Sequence, residues 1–335
     1  MKTNRFLCLF PVIVLLLLVG CRNSVEEGGP PTGKIITLVR GEAPDNRIVS
    51  LDVETQAQTV IFQAPELSVV QELATSPDGN TVYFSYTPPP SIETGFFDRA
   101  AIYRMGINDS EPVLLLGGAL PDEFYTNPTL SPDGRYLFYH RLGQDYSATD
   151  TRFIFGIERL DLQTMQTSPL LPNGIWPRLS SDGEKMVFIT LDLNTQQRGL
   201  AFADIDGSNM RTLLPIGSYF DIDSPMFSVD GSAVYFSIVE EGAQTSWFDR
   251  LLGVKVAHAH IEHNIPSTWW RLELEGGNLE QISSQAKIVA HAYRHPTKDQ
   301  IMYTTLEGVF MLDVVSREIV PVSEGDRFGT LQWIP

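Results

Sequence analysis

The sequence predicts an all-β fold, a six-bladed β-propeller of four-stranded blades, in which the C-terminal strand joins the N-terminal blade. Three observations carry this. A Ser-Pro-Asp-Gly turn signal recurs at a period near 50 residues. Each copy is followed by a short aromatic and β-branched run and then by a second pair of such runs. The two ends of the chain hold complementary fragments of one further unit.

The turn signals come first. Ser76-Pro77-Asp78-Gly79 precedes Val82-Tyr83-Phe84, and Ser131-Pro132-Asp133-Gly134 precedes Tyr136-Leu137-Phe138-Tyr139. Ser181-Asp182-Gly183 precedes Met186-Val187-Phe188-Ile189, and Ser228-Val229-Asp230-Gly231 precedes Val234-Tyr235-Phe236. A degenerate fifth copy, His295-Pro296-Thr297-Lys298-Asp299, precedes Ile301-Met302-Tyr303. Pro fixes φ and Gly accepts positive φ, so each signal marks a tight hairpin between two strands.

A second hairpin with alternating apolar residues follows each of these. The pairs are Ile102 to Met105 with Val113 to Leu116, Ile157 to Leu162 with Leu170-Leu171, and Leu200 to Ile205 with Thr212 to Leu214. Trp269 to Leu274 with Gln281-Ile282, and Val309 to Val314 with Ile319-Val320, complete five units. Four short strands per repeat are what a propeller blade needs, because neighbouring sheets must bury each other's faces.

The sixth unit is split. Thr330-Leu331-Gln332-Trp333-Ile334-Pro335 resembles the inner strands that precede the other turns, such as Asn127-Pro128-Thr129-Leu130. Its three missing strands are Ile35 to Val39, Ile48 to Val53 and Thr59 to Phe62 at the other end. Pairing across the ends closes the ring and removes exposed sheet edges.

The N-terminus reads as an export signal. Lys2 and Arg5 precede a nearly uninterrupted apolar run, Phe6 to Val19, followed by Gly20-Cys21. Its fourteen residues reach about 21 Å as a helix, short of the roughly 30 Å a spanning helix must cross. Leu18-Val19-Gly20-Cys21 resembles the lipobox of bacterial lipoproteins, which implies acylation of Cys21 as the new N-terminus and a membrane anchored through lipid. Arg22 stands where the inner-membrane retention signal of such proteins would place Asp, so in a two-membrane bacterium the periplasmic face of the outer membrane is expected. The expected organisation is a signal peptide over 1–20, a tether rich in Gly and Pro over 21–32, and the propeller over 33–335. Cys8 leaves with the leader and Cys21 is acylated, so no disulfide is expected.

Loss of Lys2 and Arg5 takes the basic residues from 24 to 22 against 41 acidic ones, a mature charge of −19. Such a field repels nucleic acid and anionic headgroups, which excludes a nucleic-acid partner and leaves anchoring to the lipid.

The repeated Ser-Pro-Asp-Gly hairpins with their aromatic strands resemble the propeller repeats of the TolB family over about residues 33 to 335. The resemblance implies the fold and an envelope location. The same repeat occurs in peptidase propellers and oligogalacturonate lyases, so it does not define an activity, and the separate N-terminal α/β domain of TolB is not part of this chain.

In a propeller the connections from second to third strand share one face with the connections between blades. Here they are unequal, spanning 87–100, 141–153, 191–199 and 239–268, and only a few residues in the fifth and closing blades. Two of them share a string, Gly95-Phe96-Phe97-Asp98-Arg99 and Ser246-Trp247-Phe248-Asp249-Arg250. Phe97, Trp247 and Phe248 offer stacking surface, and the Asp-Arg pairs offer bidentate acceptors and donors. The competing role for Phe97 and Phe248 is to plug the channel mouth, each Asp-Arg pair holding its own loop. The longest connection also holds His258, His260 and His263 with Glu262, a spacing that can face one divalent metal such as zinc. No nucleophile elbow, phosphate loop or zincin motif is present, so no catalytic residue is assigned. The expected function is non-enzymatic binding or scaffolding of an envelope protein or peptide without a cofactor. The alternative is a metal-dependent carbohydrate-active enzyme resembling the oligogalacturonate lyases.

Overall fold

In a computed structural model the described residues are 33–40, 46–90, 100–117, 123–145, 152–239, 266–283, 287–288, 291–325 and 327–334. They form six antiparallel sheets. The first complete blade is β4 (Val69–Thr75), β5 (Thr81–Thr87), β6 (Ala101–Gly106) and β7 (Val113–Leu116). The next two are β8 (Phe124–Leu130), β9 (Tyr136–Asp145), β10 (Arg152–Asp161), β11 (Gln166–Pro172), then β12 (Gly174–Leu179), β13 (Lys185–Leu191), β14 (Arg198–Asp204), β15 (Arg211–Leu214). The fifth sheet holds β16 (Asp221–Phe227), β17 (Ala233–Val239), β18 (Pro266–Glu273) and β19 (Leu279–Gln281), with β20 (Lys287–Ile288) on β18. The sixth holds β21 (His291–Arg294), β22 (Gln300–Thr305), β23 (Gly308–Asp313) and β24 (Ile319–Glu324).

The remaining sheet is the split one: β25 (Arg327–Ile334) lies beside β1 (Lys34–Arg40), followed by β2 (Asn46–Asp52) and β3 (Gln58–Gln63). β25 pairs with β1 from Lys34 opposite Ile334 to Arg40 opposite Arg327. The Thr37 hydroxyl donates to the Thr330 carbonyl at 3.0 Å, across 293 residues of chain. β25 is also tied to the next blade, since Thr330 Oγ1 donates to Gln71 O at 3.1 Å and Thr75 N donates to Gln332 Oε1 at 2.8 Å. The inner strands β25, β4, β8, β12, β16 and β21 then touch in that cyclic order around a central channel.

The core lies between blades. Ala74, Tyr83 and Ile102 pack on Tyr125, Leu137 and Tyr139 of the next sheet, and Phe138 and Ile157 pack on Met186 and Phe188 of the one after. Adjacent residues such as Phe138 and Tyr139 are therefore buried on opposite faces, each burial contributing roughly 2–3 kcal/mol. For this reason the second strands read as continuous apolar runs; every residue of β17 is buried.

The turn signals have a common hydrogen-bond pattern. The Ser131 hydroxyl donates to Asp133 Oδ1, which also accepts Arg135 N at 3.0 Å, while Ser131 Oγ accepts Tyr136 N at 2.8 Å. The same bonds recur at Ser76/Asp78 and Ser228/Asp230. In the turn between β12 and β13 the Ser role belongs to Ser180, one residue earlier than the expected Ser181, because the hydroxyl must reach the amide five positions on, Lys185 N. The degenerate copy is held differently, with His295 Nδ1 accepting Thr297 N and Lys298 N at 3.2 Å and Gln300 N donating to Lys298 O at 2.8 Å. Neighbouring turns interlock: Pro77 packs on Gly134 and Pro132 on Gly183, where φ of 71° and 73° suits glycine.

Five of the six inner strands, β25, β4, β8, β12 and β16, carry a bulge that the periodicity does not announce, and in three of them it falls at a Pro. Asn127, Trp176 and Ser224 have φ of 54°, 54° and 51°, each directly before a Pro, at register breaks in β8, β12 and β16. A bulge frees one ladder position, and Pro, with no N–H to donate, fits there. The sequence signal is a Pro three residues before each turn Ser.

Candidate functional face and channel

Cys21, Phe97, Asp98, Arg99, Trp247, Phe248, Asp249, Arg250, His258, His260 and His263 all lie outside the described residues. What is described is where their connections root. Segment 88–100 rises from Thr87, which pairs with Val69, and segment 240–265 from Val239, which pairs with Asp221. Both leave the ends of second strands, in sheets that stand opposite each other in the ring of six.

The connection expected over 141–153 is largely strand instead. β9 and β10 continue their ladder to Asp145 opposite Arg152. Polar residues such as Arg141 and Gln144 interrupt the apolar pattern there but still pair through their backbones, which a reading of side-chain periodicity misses. The expected short connection in the fifth repeat is a two-residue turn, Leu306-Glu307, between paired Thr305 and Gly308.

On the face shared by these connections the structure assembles residues the sequence did not single out. The Arg198 guanidinium lies 4.5 Å from the Trp176 ring centre and 2.9 Å from Asp221, joining the starts of β14 and β16 to the β12 bulge. Nearby in the preceding blade, His140 meets Phe155 edge-on at 4.6 Å and Phe155 stacks with the exposed Phe153 at 6.2 Å. Burial holds His140 neutral, its pKa pushed down to about 4. Between the blades of β4–β7 and β8–β11, Arg141 bonds both Glu123 and Glu158, and these carboxylates accept the hydroxyls of Tyr125 and Tyr139 at 2.8 and 2.9 Å.

The channel centre is polar. Arg178 donates to Thr129 Oγ1 at 3.2 Å and lies 5.8 Å from the Tyr293 ring centre, within the electrostatic reach of Asp223 and Glu72. Those residues belong to the inner strands β8, β21, β16 and β4, so the guanidinium sits where the strands converge. Burial lowers its pKa from the usual arginine value, opposed by Tyr293 and the two carboxylates. Among the described residues no group of three His, Cys, Asp or Glu is arranged to hold a metal ion.

The turn aspartates are accounted for by their turns. The Ser76 hydroxyl, the Asn80 amide and the Asn80 side chain hold the exposed Asp78 carboxylate down to about 2. Asp133, Asp182 and Asp230 are lowered in the same way, first by the bond from their own serine.

These features define a closed six-bladed β-propeller of the TolB type. Among solved structures it is similar to TolB from Acinetobacter baumannii, with a TM-score of 0.65 and 16% identity over 92% of this chain and 68% of that one. It is also similar to putative TolB from Agrobacterium tumefaciens, with a TM-score of 0.57 and 16% identity over 91% and 99%. An oligogalacturonate lyase in complex with manganese matches with a TM-score of 0.52 and 13% identity over 83% and 71%. At these identities the likeness is one of fold. No protein-family model and no curated protein matches the sequence.

Proposed function

We propose that the protein is a cell-envelope lipoprotein, acylated at Cys21 and held on a membrane surface, that uses the face of its second-to-third-strand connections to bind a protein or peptide. The observation that carries this is the inequality of those connections. Two opposite blades carry connections of 13 and 26 residues, 88–100 and 240–265, with the same aromatic-Asp-Arg string, whereas the turn at Leu306-Glu307 has two residues. A rigid ring that presents two long, similar loops across one mouth suits a clamp on a partner. The fold likeness to TolB supports an envelope location.

The test has two arms. Cys21→Ser should release the protein from membranes, and wild type should carry acyl mass on Cys21. Replacing Asp98, Arg99, Asp249 and Arg250 with Ala should abolish capture of the native partner with the melting temperature nearly unchanged. Loss of stability instead, on replacing Phe97, Trp247 or Phe248, would assign those rings to plugging the mouth. The fold likeness to a manganese-containing lyase favours a competing reading, in which His258, His260 and His263 hold a metal. About one tightly held metal per chain after dialysis, lost on replacing these histidines, would support it.

A further inference from the structure

The three bulges that fall at a Pro place different residues at one left-handed position: Asn127, Trp176 and Ser224, with φ of 54°, 54° and 51°. Asn enters this region readily and Ser is small, whereas a bulky ring there is an outlier. Strain of this kind persists where the side chain has a task that only that position serves.

The task of Trp176 is to carry a guanidinium. Arg198 lies over its ring, 4.5 Å from the centre. From the next blade Asp221 fixes the same group: Arg198 Nη1 reaches its two carboxylate oxygens at 2.9 and 3.1 Å, and Oδ1 also accepts Ile222 N at 2.9 Å. Among the described residues Nη1 is the one side-chain atom of Arg198 with a hydrogen-bond partner, and the side chain keeps 21% of its surface exposed. Nε and Nη2 therefore form a fork that is already oriented and not yet used, which suits two oxygens of one carboxylate. On the face of the turns, Arg135 is stacked on Tyr136 at 4.8 Å in the same manner, but it gives both Nε and Nη2 to Asp161, at 3.2 and 2.9 Å.

A second, independent observation lies in the preceding blade. His140 is only 9% exposed, and its Nε2 is buried without a hydrogen-bond partner, while Nδ1 lies 3.4 Å from Thr126 Oγ1. Folded proteins rarely leave a buried polar atom in that state. Phe155 meets the His140 ring edge-on at 4.6 Å and stacks with Phe153, which is 56% exposed. Phe155 and Trp176 pack on the same buried cluster, which includes Ile175, Ile189 and Leu200. The aromatic wall, the orphaned nitrogen and the guanidinium thus follow one another along one stretch of the mouth, from β10 across β12 to the start of β16.

We infer that this stretch is a binding site for an apolar peptide segment that bears a carboxylate. The carboxylate sits on Nε and Nη2 of Arg198, an aromatic or aliphatic side chain lies on Phe153 and Phe155, and a polar group of the peptide meets His140 Nε2. A free C-terminus and an Asp or Glu side chain offer the same chemistry to Arg198. The inference rests on the reading of this face as a peptide-binding one, and it uses described residues alone.

The test is titration of the full-length protein with three probes: N-acetyl-Phe-Phe with a free carboxylate, its C-terminal amide, and N-acetyl-Asp-Phe-Phe amide. Binding is read by fluorine NMR of protein labelled with 5-fluorotryptophan, the signal of residue 176 being assigned by its loss in Trp176→Phe. At least one acid probe should bind at least tenfold more tightly than the plain amide, and which one does so identifies the source of the carboxylate. Arg198→Met should weaken that binding at least tenfold and His140→Phe at least threefold, whereas Arg135→Met on the other face should leave it unchanged. Arg198→Lys keeps a cation for Asp221 and loses the fork, so a loss of at least threefold with an unchanged melting temperature is expected even where the Met variant fails to fold. Equal affinity for acid and amide, or full affinity in both Arg198 variants, would overturn the inference. If no probe binds while the wild type still captures its native partner, this site is refuted and the peptide-binding reading stands; if capture fails as well, both fall.

Discussion

Arg294, at the end of the last inner strand, donates to the hydroxyl of Ser181 at 2.8 Å, across 113 residues and past an intervening blade. The same guanidinium donates to the carbonyls of His295 and Pro296 at 2.8 and 3.0 Å, and Ser181 Oγ donates to Val229 O at 3.3 Å. Three turns are thus laced together at the Ser-Pro-Asp-Gly end of the channel. Arg294→Leu should lower stability by about 1–3 kcal/mol, as expected when a charged donor is lost and its acceptors are left unpaired. Denaturant titration would measure it, and Ser181→Ala should have a smaller effect.

Ring closure depends on β25. Deleting residues 328 to 335 exposes the edge of β1 and removes buried Phe328, Leu331 and Trp333, so the melt should fall sharply and lose cooperativity. The milder Leu331→Ala should cost about 2–5 kcal/mol. An unchanged melt in the deletion would count against closure.

Acid should destabilise the fold through two histidines. The folded pKa of His140 and of His295 is about 4, below the usual value of about 6.5, the first because of burial, the second because of burial together with Lys298 and Arg294. The unfolded chain therefore takes up protons first as pH falls. The stabilisation is present above about pH 6.5 and is lost between there and about pH 4, by up to about 3 kcal/mol for buried His140. His140→Leu should flatten this part of the stability curve, and His295→Ser, which restores the usual turn residue, should flatten it further.

Arg141 separates two buried carboxylates. Arg141→Met should destabilise by about 3–5 kcal/mol by leaving Glu123 and Glu158 without their cation. Adding Glu123→Gln and Glu158→Gln should recover much of the loss in thermal melts, because the remaining groups are then neutral.

Asp133→Ala should cost about 1 kcal/mol, the value of a lost cap-like bond, and leave any binding or activity intact. A selective loss of function with an unchanged melt would contradict the structural role given to the turn aspartates.

The strand order, the split blade and the closure were legible from the sequence alone, because local chemistry dictates them. Pro and Asp-Gly set each turn, and runs such as Val82-Tyr83-Phe84 declare strands buried on both faces. The expectation of an export signal and of acylation at Cys21 also rests on local strings, which lie outside the described residues. The proposed face was legible only as loop lengths and the repeated aromatic-Asp-Arg string. Tertiary structure decided the rest, since it depends on residues far apart in the chain. Ser180 rather than Ser181 takes the turn role because only its hydroxyl meets Lys185 N. Arg178 becomes a channel residue because four inner strands converge on it. Trp176, Arg198 and Asp221 meet because a bulge, a third strand and a connection between blades end on one face. Periodicity reports which side of its own sheet a residue occupies; which residues of other blades it meets there is set by closing the ring.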